Sequence, residues 1–64
     1  MLLSKARKLQ IDDRVKVRAS ASFYTKPVFA NVLEVYTDAS NVLRIDVETV
    51  EGFFLGKLSH KDLI

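Results

Sequence analysis

The 64-residue chain contains no cysteine, one histidine, one proline and two glycines. Without cysteine it has no disulfide framework and no thiolate zinc site. One histidine among scattered carboxylates predicts neither a metal site nor a cofactor. No stretch reaches the roughly 18 apolar residues of a membrane span, and the opening MLLSKARKL lacks the apolar run of a secretory signal. We therefore expect a soluble protein of the cytoplasm.

The chain has enough apolar sequence for one folded core. Apolar residues make up 48% of it, which is too many for a disordered tail. Positive charge is concentrated at one end: residues 1–18 hold six of the ten basic residues and two of the eight carboxylates, a net +4. Such an asymmetry indicates a polyanionic partner for the basic end.

The stretch DDRVKVRA, residues 12–19, alternates basic with apolar residues. On a β-strand this pattern places Arg14, Lys16 and Arg18 on one face and the apolar side chains on the other. The stretch therefore predicts a half-buried first strand with a basic outer face.

The chain from Ile11 onward also predicts β-structure. Residues 28–37 form a strand with apolar side chains on both faces, which indicates a bend or a bulge. Residues 1–9 have the spacing of one or two helical turns, and Ser59 with Asp62 predicts a capped tight turn. The full set is strands at 14–19, 28–37, 42–50, 53–59 and 63–64, a loop at 20–27, and turns at 38–41, 51–52 and 59–62.

The segments 42–50 and 53–59 predict a hairpin with a two-residue turn at Glu51 and Gly52. That turn pairs Val50 with Phe53 and places Asp46 opposite Lys57, a favourable cross-strand pair. The predicted inner face is Ile45, Val47, Thr49, Phe54, Gly56 and Leu58. The predicted outer face includes Val50, Phe53 and Leu55.

Two short motifs resemble those of small bacterial Src-homology-3-like barrels of the KOW and Tudor-like group. IDDRVKV is similar to their opening turn and first strand, and ANVLEV is similar to the KOW pattern, with Ala30 in place of its glycine. The resemblance implies an all-β fold, a small antiparallel barrel of about five strands. We therefore predict one domain over 1–64, with a short helical or extended N-terminal segment at 1–10 and the barrel at 11–64.

No residue pattern predicts an enzyme. Nucleophilic catalysis needs a base within hydrogen-bond reach of the nucleophile and a third group that orients the base. Ser59 and His60 are neighbours in a capping turn, and Asp12 and Asp13 are neighbours that shape the turn before the first strand. We expect these residues to be structural.

Cations and aromatic side chains form the first candidate site: Lys5, Arg7, Lys8, Arg14, Lys16, Arg18, Phe23 and Tyr24. The cations would contact phosphates while the rings stack on bases. This hypothesis makes the protein a non-catalytic module that binds nucleic acid or a nucleic-acid-bound complex. The alternative is that the basic alternation is only the solvated face of a strand, whose charges also discourage pairing between sheet edges.

The second candidate site is the predicted apolar outer face of the 42–58 hairpin: Val50, Phe53 and Leu55. Three adjacent outward apolar side chains are typical of a contact surface. The hypothesis is a protein–protein adaptor or a small inhibitor or regulator, or a homodimer formed through this face. The alternative is that the apolar residues of the N-terminal segment (Leu2, Leu3, Ala6 and Leu9) cover the face within the same chain.

Overall fold

Four antiparallel strands form one open sheet in the order β1-β2-β3-β4 in a computed structural model that describes residues 1–64. A one-turn helix, α1, precedes the sheet, and two short 3₁₀ turns follow β1 and β4. The elements are α1 (Leu3–Ala6), β1 (Arg14–Val17), β2 (Val28–Thr37), β3 (Leu43–Thr49) and β4 (Phe54–Leu58), with 3₁₀ turns at Ala19–Ala21 and His60–Asp62. The mostly β prediction is confirmed, and β2 has its predicted limits.

The core lies on one face of this sheet. In β1 the side chains alternate between exposed and buried, as predicted, with the two valines buried. Burying a large aliphatic side chain contributes about 1.5–3 kcal/mol, so this face provides most of the driving force for folding. Its buried members are Val15, Val17, Ala30, Val32, Ile45, Val47, Thr49, Leu55 and Leu58, and Ala6 and Leu63 join them from the two ends of the chain.

A β-bulge interrupts β2, as the apolar residues on both of its faces predict. The pairing of β2 with β3 shifts between Val32 and Glu34. The extra residue, Leu33, is exposed while Val32 is fully buried. A bulge bends its strand and increases the local twist, so β2 bends just beyond Val28–Asn31, the part that pairs with β1.

The two-residue turn predicted between β3 and β4 is wrong. The loop has three residues, Val50–Gly52, and is closed by a 2.8 Å hydrogen bond from the Thr49 N–H to the Phe53 carbonyl. Gly52 has φ of 90°, a left-handed conformation that glycine adopts without steric cost. A three-residue hairpin loop of this kind has its glycine at this position.

The longer loop reverses the predicted faces of β4 near the turn. Glu48 pairs with Phe54 and Val47 with Leu55, one residue away from the predicted register. Leu55 is therefore 9% exposed and belongs to the core, while Phe54 is 62% exposed on the outer face. The assignment of Leu55 to the outer face and of Phe54 to the inner face is corrected accordingly.

A second bulge, at Gly56 and Lys57, restores the predicted pairing of Ile45 with Leu58. Lys57 has φ of 57°, and its backbone N–H donates to the Asp46 carboxylate at 2.9 Å. The extra residue in β4 returns Leu58 to the buried face. Both ends of the hairpin thus contribute to one core despite the changed register.

The C-terminal residues contact the free edge of β1. The Ser59 N–H donates to the Asp62 carboxylate at 2.8 Å, which confirms the predicted capped turn. Beyond that turn Leu63 forms an isolated bridge with Val17, and the Ile64 N–H donates to the Lys16 carbonyl at 2.9 Å. The predicted strand at 63–64 is thus a single bridge rather than a fifth strand.

The one α-helix has four residues, and no helix of the structure has the length and apolar character to cross a membrane.

Candidate functional site

Two cations of β1 lie close to an exposed aromatic ring of β2 on the outer face of the sheet. The Arg14 guanidinium carbon lies 5.9 Å and the Lys16 ammonium 5.3 Å from the centroid of the Phe29 ring. Phe29 is 48% exposed. We call Arg14, Lys16 and Phe29 the basic–aromatic patch.

The strand register creates this patch. Lys16 pairs directly with Phe29, and Arg14 pairs with Asn31, the next residue of β2 on the same face. Because successive side chains of a strand point to opposite faces, the burial of Val15 leaves both cations outside. The ring therefore lies opposite one cation and diagonal to the other, which is within reach of long side chains.

Phe29 is a site residue that the sequence patterns above do not predict. Its signal was present, because Ala30 and Val32 are apolar residues at alternate positions of a predicted strand. If these two are buried, the same alternation places Phe29 and Asn31 on the outer face. The structure has this arrangement, with Ala30 and Val32 fully buried.

Neither cation of the patch belongs to an ion pair. The ion pair of the chain joins the Arg44 guanidinium to the Asp38 carboxylate at 3.0 Å, at the far end of the β2–β3 hairpin. An acidic residue on the same face, Glu48, pairs with Asn31 one strand beyond β2. A cation–π contact at an exposed site is worth only about 0.5–1 kcal/mol. Arg14 and Lys16 are therefore available to a bound anion.

The third predicted cation of β1, Arg18, lies outside the patch. Its Nε donates to the Lys61 carbonyl at 3.0 Å, and its backbone N–H donates to the Asp62 carbonyl at 2.8 Å. These bonds hold Arg18 beside the C-terminal 3₁₀ turn. Its contribution is to join the end of the chain to the edge of β1.

The helical cations Lys5, Arg7 and Lys8 are exposed on and just after α1. This helix packs next to the C-terminal 3₁₀ turn. Arg7 lines a depression together with residues of the β2–β3 turn. The structure therefore divides the six predicted cations among the sheet face, the C-terminal turn and the helix.

The aromatic side chains predicted for base stacking, Phe23 and Tyr24, pack against the β3–β4 loop. Their rings stack with centroids 4.8 Å apart, and Phe23 contacts Phe53 edge to face at 5.3 Å. The Tyr24 hydroxyl donates to Thr49 Oγ1 at 3.2 Å. We call Phe23, Tyr24 and Phe53 the aromatic cluster. The cluster thus combines Phe23 and Tyr24, predicted for nucleic-acid binding, with Phe53, predicted for partner binding.

The aromatic cluster remains largely open to solvent. Phe23 and Phe53 are about half exposed or more, and the neighbouring Val50 is 63% exposed. The ring in contact with Phe53 comes from the 20–27 loop, whereas the N-terminal segment contributes Ala6 to the core and leaves Leu2 exposed. Of the predicted second site, Val50 and Phe53 thus face solvent and Leu55 does not.

A polar network occupies the outer face at the other end of β2 and β3. The Tyr36 hydroxyl donates to the Asp46 carboxylate at 3.3 Å. Partial desolvation, and then the negative charge of Asp46, raise the pKa of the Tyr36 phenol. The pKa of Asp38 is lowered, first by the Val42 N–H and then by the Arg44 guanidinium, which both donate to its carboxylate. The bonds to Asp38 stabilise the β2–β3 turn, and the Tyr36–Asp46 bond joins the two strands beyond it.

Comparisons with known proteins do not assign a function to the basic–aromatic patch or to the aromatic cluster. The chain matches no protein-family model, no curated protein and no solved structure. The chemistry of the residues at each site is therefore what indicates a function.

Proposed function

We propose that the protein is a non-catalytic module that binds single-stranded nucleic acid through the basic–aromatic patch. The observation that supports this proposal is the position of two cations without ion pairs next to one exposed ring. Proteins that bind single strands combine cations that follow the phosphates with aromatic rings on which bases stack. The patch has both components.

The two components act on different parts of the ligand. Phe29 stacks on an unpaired base, because every base has an aromatic face. In a duplex the neighbouring base pairs cover these faces. Arg14 and Lys16 exchange their weak contacts with the ring for contacts with the adjacent phosphates. Glu48, on the same face, limits the path of the phosphates to the β1 side of Phe29.

A salt titration with a fluorescent oligothymidine tests the phosphate contacts. Two contacts to a single strand predict a slope of about −1.4 in log affinity against log salt concentration. Replacing both Arg14 and Lys16 by Ser should flatten the slope by about that amount and leave the fold intact. Replacing Lys5 and Lys8 by Ser is the matched control, because it removes the same charge from the helix and should change the slope less.

Replacing Phe29 by Ala tests base stacking. Stacking of one base contributes about 1–3 kcal/mol, so affinity should fall roughly 5- to 150-fold while the salt slope stays the same. The absence of binding to any single- or double-stranded oligonucleotide at about 50 mM salt, where screening is weak, would refute the proposed function. Comparing oligothymidine with oligouridine distinguishes DNA from RNA as the preferred ligand.

The alternative function is that of a protein–protein adaptor or a small regulator that binds its partner through the aromatic cluster and Val50. The supporting observation is that Phe23 and Phe53 pack together and remain largely exposed. Replacing Phe53 by Ser should then abolish partner capture without unfolding the protein. A second copy as the partner would make sedimentation depend on concentration, and the same substitution would remove that dependence.

We further propose that the sheet and the C-terminal bridge together make a small barrel of the Src-homology-3-like kind. The bridge from Leu63 to Val17 supports this proposal because it adds the chain end to the free edge of β1. Slow hydrogen exchange of the Arg18 and Ile64 amides, which donate across this edge, would support closure, and rapid exchange would contradict it. A cytoplasmic location, compatible with the lack of cysteine, is tested by cell fractionation.

A further inference from the structure

A depression of about 330 Å³ lies between α1, the β2–β3 turn and the C-terminal 3₁₀ turn. Its volume is at the lower end of the range of small-molecule sites. Leu3 and Arg7 line it from the helical segment, and His60 lines it from the 3₁₀ turn. The buried Ala6 fixes the helix in this place. None of these residues belongs to the basic–aromatic patch.

The polar groups of the depression favour an anion. Arg7 lines it, no carboxylate does, and Arg7 is not in the ion pair of the chain. Thr37 and Asn41 add a hydroxyl and a side-chain amide, both of which donate hydrogen bonds. A guanidinium has a planar pair of N–H groups that matches the two oxygens of a carboxylate.

The imidazole ring of His60 borders the depression and is hydrogen-bonded to the start of the chain. Its Nδ1 lies 2.8 Å from the Met1 carbonyl oxygen. Because a carbonyl oxygen only accepts hydrogen bonds, Nδ1 is the donor. This bond holds the imidazole at the border of the depression.

The remaining wall is apolar, with Leu3 on one side and Val42 and Leu43 on the other. We propose that the depression binds a monocarboxylate whose carboxylate pairs with Arg7 and whose apolar group packs on these side chains. One arginine matches one negative charge better than the two of a phosphate monoester. The ligand is either a free small acid or the C-terminal carboxylate of a peptide that ends in an apolar residue.

Titration with hexanoate, followed by backbone amide chemical shifts, tests the site. Shifts should concentrate at the residues around the depression, and hexanol and acetate should each bind at least tenfold more weakly because each lacks one half of the ligand. Arg7→Gln should weaken hexanoate binding at least tenfold. Lys8→Gln is the matched control, since it removes a neighbouring charge that does not line the depression, and it should leave the affinity unchanged.

Two peptides distinguish the sources of the carboxylate. A tripeptide that ends in leucine with a free carboxylate should bind more tightly than hexanoate if the natural ligand is a chain end, and its C-terminal amide should not bind. Hexanoate binding with no binding of the free peptide assigns the site to a small acid. Either result supports a carboxylate site.

Three results would overturn the proposal. They are no saturable shift with hexanoate or the free peptide, equal binding of hexanol and hexanoate, and equal losses in Arg7→Gln and Lys8→Gln. Val42→Ser provides a second variant with an exposed side chain; it should weaken hexanoate and leave acetate unchanged. Since Phe29→Ala does not alter the depression, each site can fail its test without the other.

Discussion

The register of the β3–β4 hairpin places two adjacent residues, Phe54 and Leu55, on opposite faces of the sheet. Leu55 is 9% exposed and belongs to the core, whereas Phe54 is 62% exposed. Leu55→Ala leaves a cavity, and a buried leucine truncated in this way costs about 2–5 kcal/mol. Phe54→Ala removes a ring that lies mainly in solvent, and such surface changes cost less than about 1 kcal/mol.

The difference is large relative to the stability of so small a domain. At about 0.05–0.15 kcal/mol per residue, 64 residues correspond to a free energy of unfolding of about 3–10 kcal/mol. Leu55→Ala should therefore remove a large fraction of it or unfold the protein at room temperature. Leu55→Val removes a single methylene and should lower stability by about 1 kcal/mol, which keeps a folded variant available.

Urea denaturation followed by circular dichroism measures these changes, with the midpoint giving the loss when the slope is constant. Val50→Ala is the control, because Val50 is equally exposed in the adjoining loop. If Phe54→Ala is the more destructive change and Leu55→Ala is tolerated, the three-residue loop and the register derived from it are wrong. That result would instead support the two-residue turn, in which Phe54 is buried and Leu55 is exposed.

Three further changes probe the same hairpin and the turn that precedes it. Gly52→Ala should cost about 1–2 kcal/mol in denaturant midpoint measurements, because a left-handed conformation is unfavourable for any residue with a Cβ; no loss would contradict the loop. Gly56→Ala would bring a Cβ to 2.5 Å from the Phe54 ring. The loss of stability should therefore be smaller when Phe54 is already replaced by Ala, and additive effects in this double-mutant cycle would exclude the contact. The pKa of Asp38 is lowered in the folded protein, so its contribution to stability is present above the unfolded-state pKa and lost as the pH falls through the folded value. Asp38→Asn should therefore lower stability at pH 7 and make the acid side of the stability profile shallower, and an unchanged profile would refute this assignment.

Patterns that depend on neighbours in the chain are determined by the sequence itself. The alternation in DDRVKVRA predicts that Val15 and Val17 are buried and that Arg14 and Lys16 are exposed, and this is confirmed. The apolar residues on both faces of 28–37 predict the bulge in β2, and Ser59 with Asp62 predicts the capped turn. Each of these features arises from interactions within a few residues.

The register of β4 depends on the tertiary structure. Phe53, Phe54 and Leu55 are three consecutive apolar residues, so alternation does not determine which of them faces the core. A two-residue and a three-residue loop are both compatible with a glycine at position 52. The choice is made by the fit of Leu55 against the rest of the core, and the bulge at Lys57 then returns Leu58 to the same face.

The candidate sites divide in the same way. The sequence determined that Arg14 and Lys16 lie on an outer strand face, because that property depends on one strand alone. The pairing of β1 with β2 brought Phe29 next to them, and the packing of α1 and the C-terminal turn separated the other cations. Which side chains meet across strands depends on non-local packing of the whole core, and a local pattern does not contain that information.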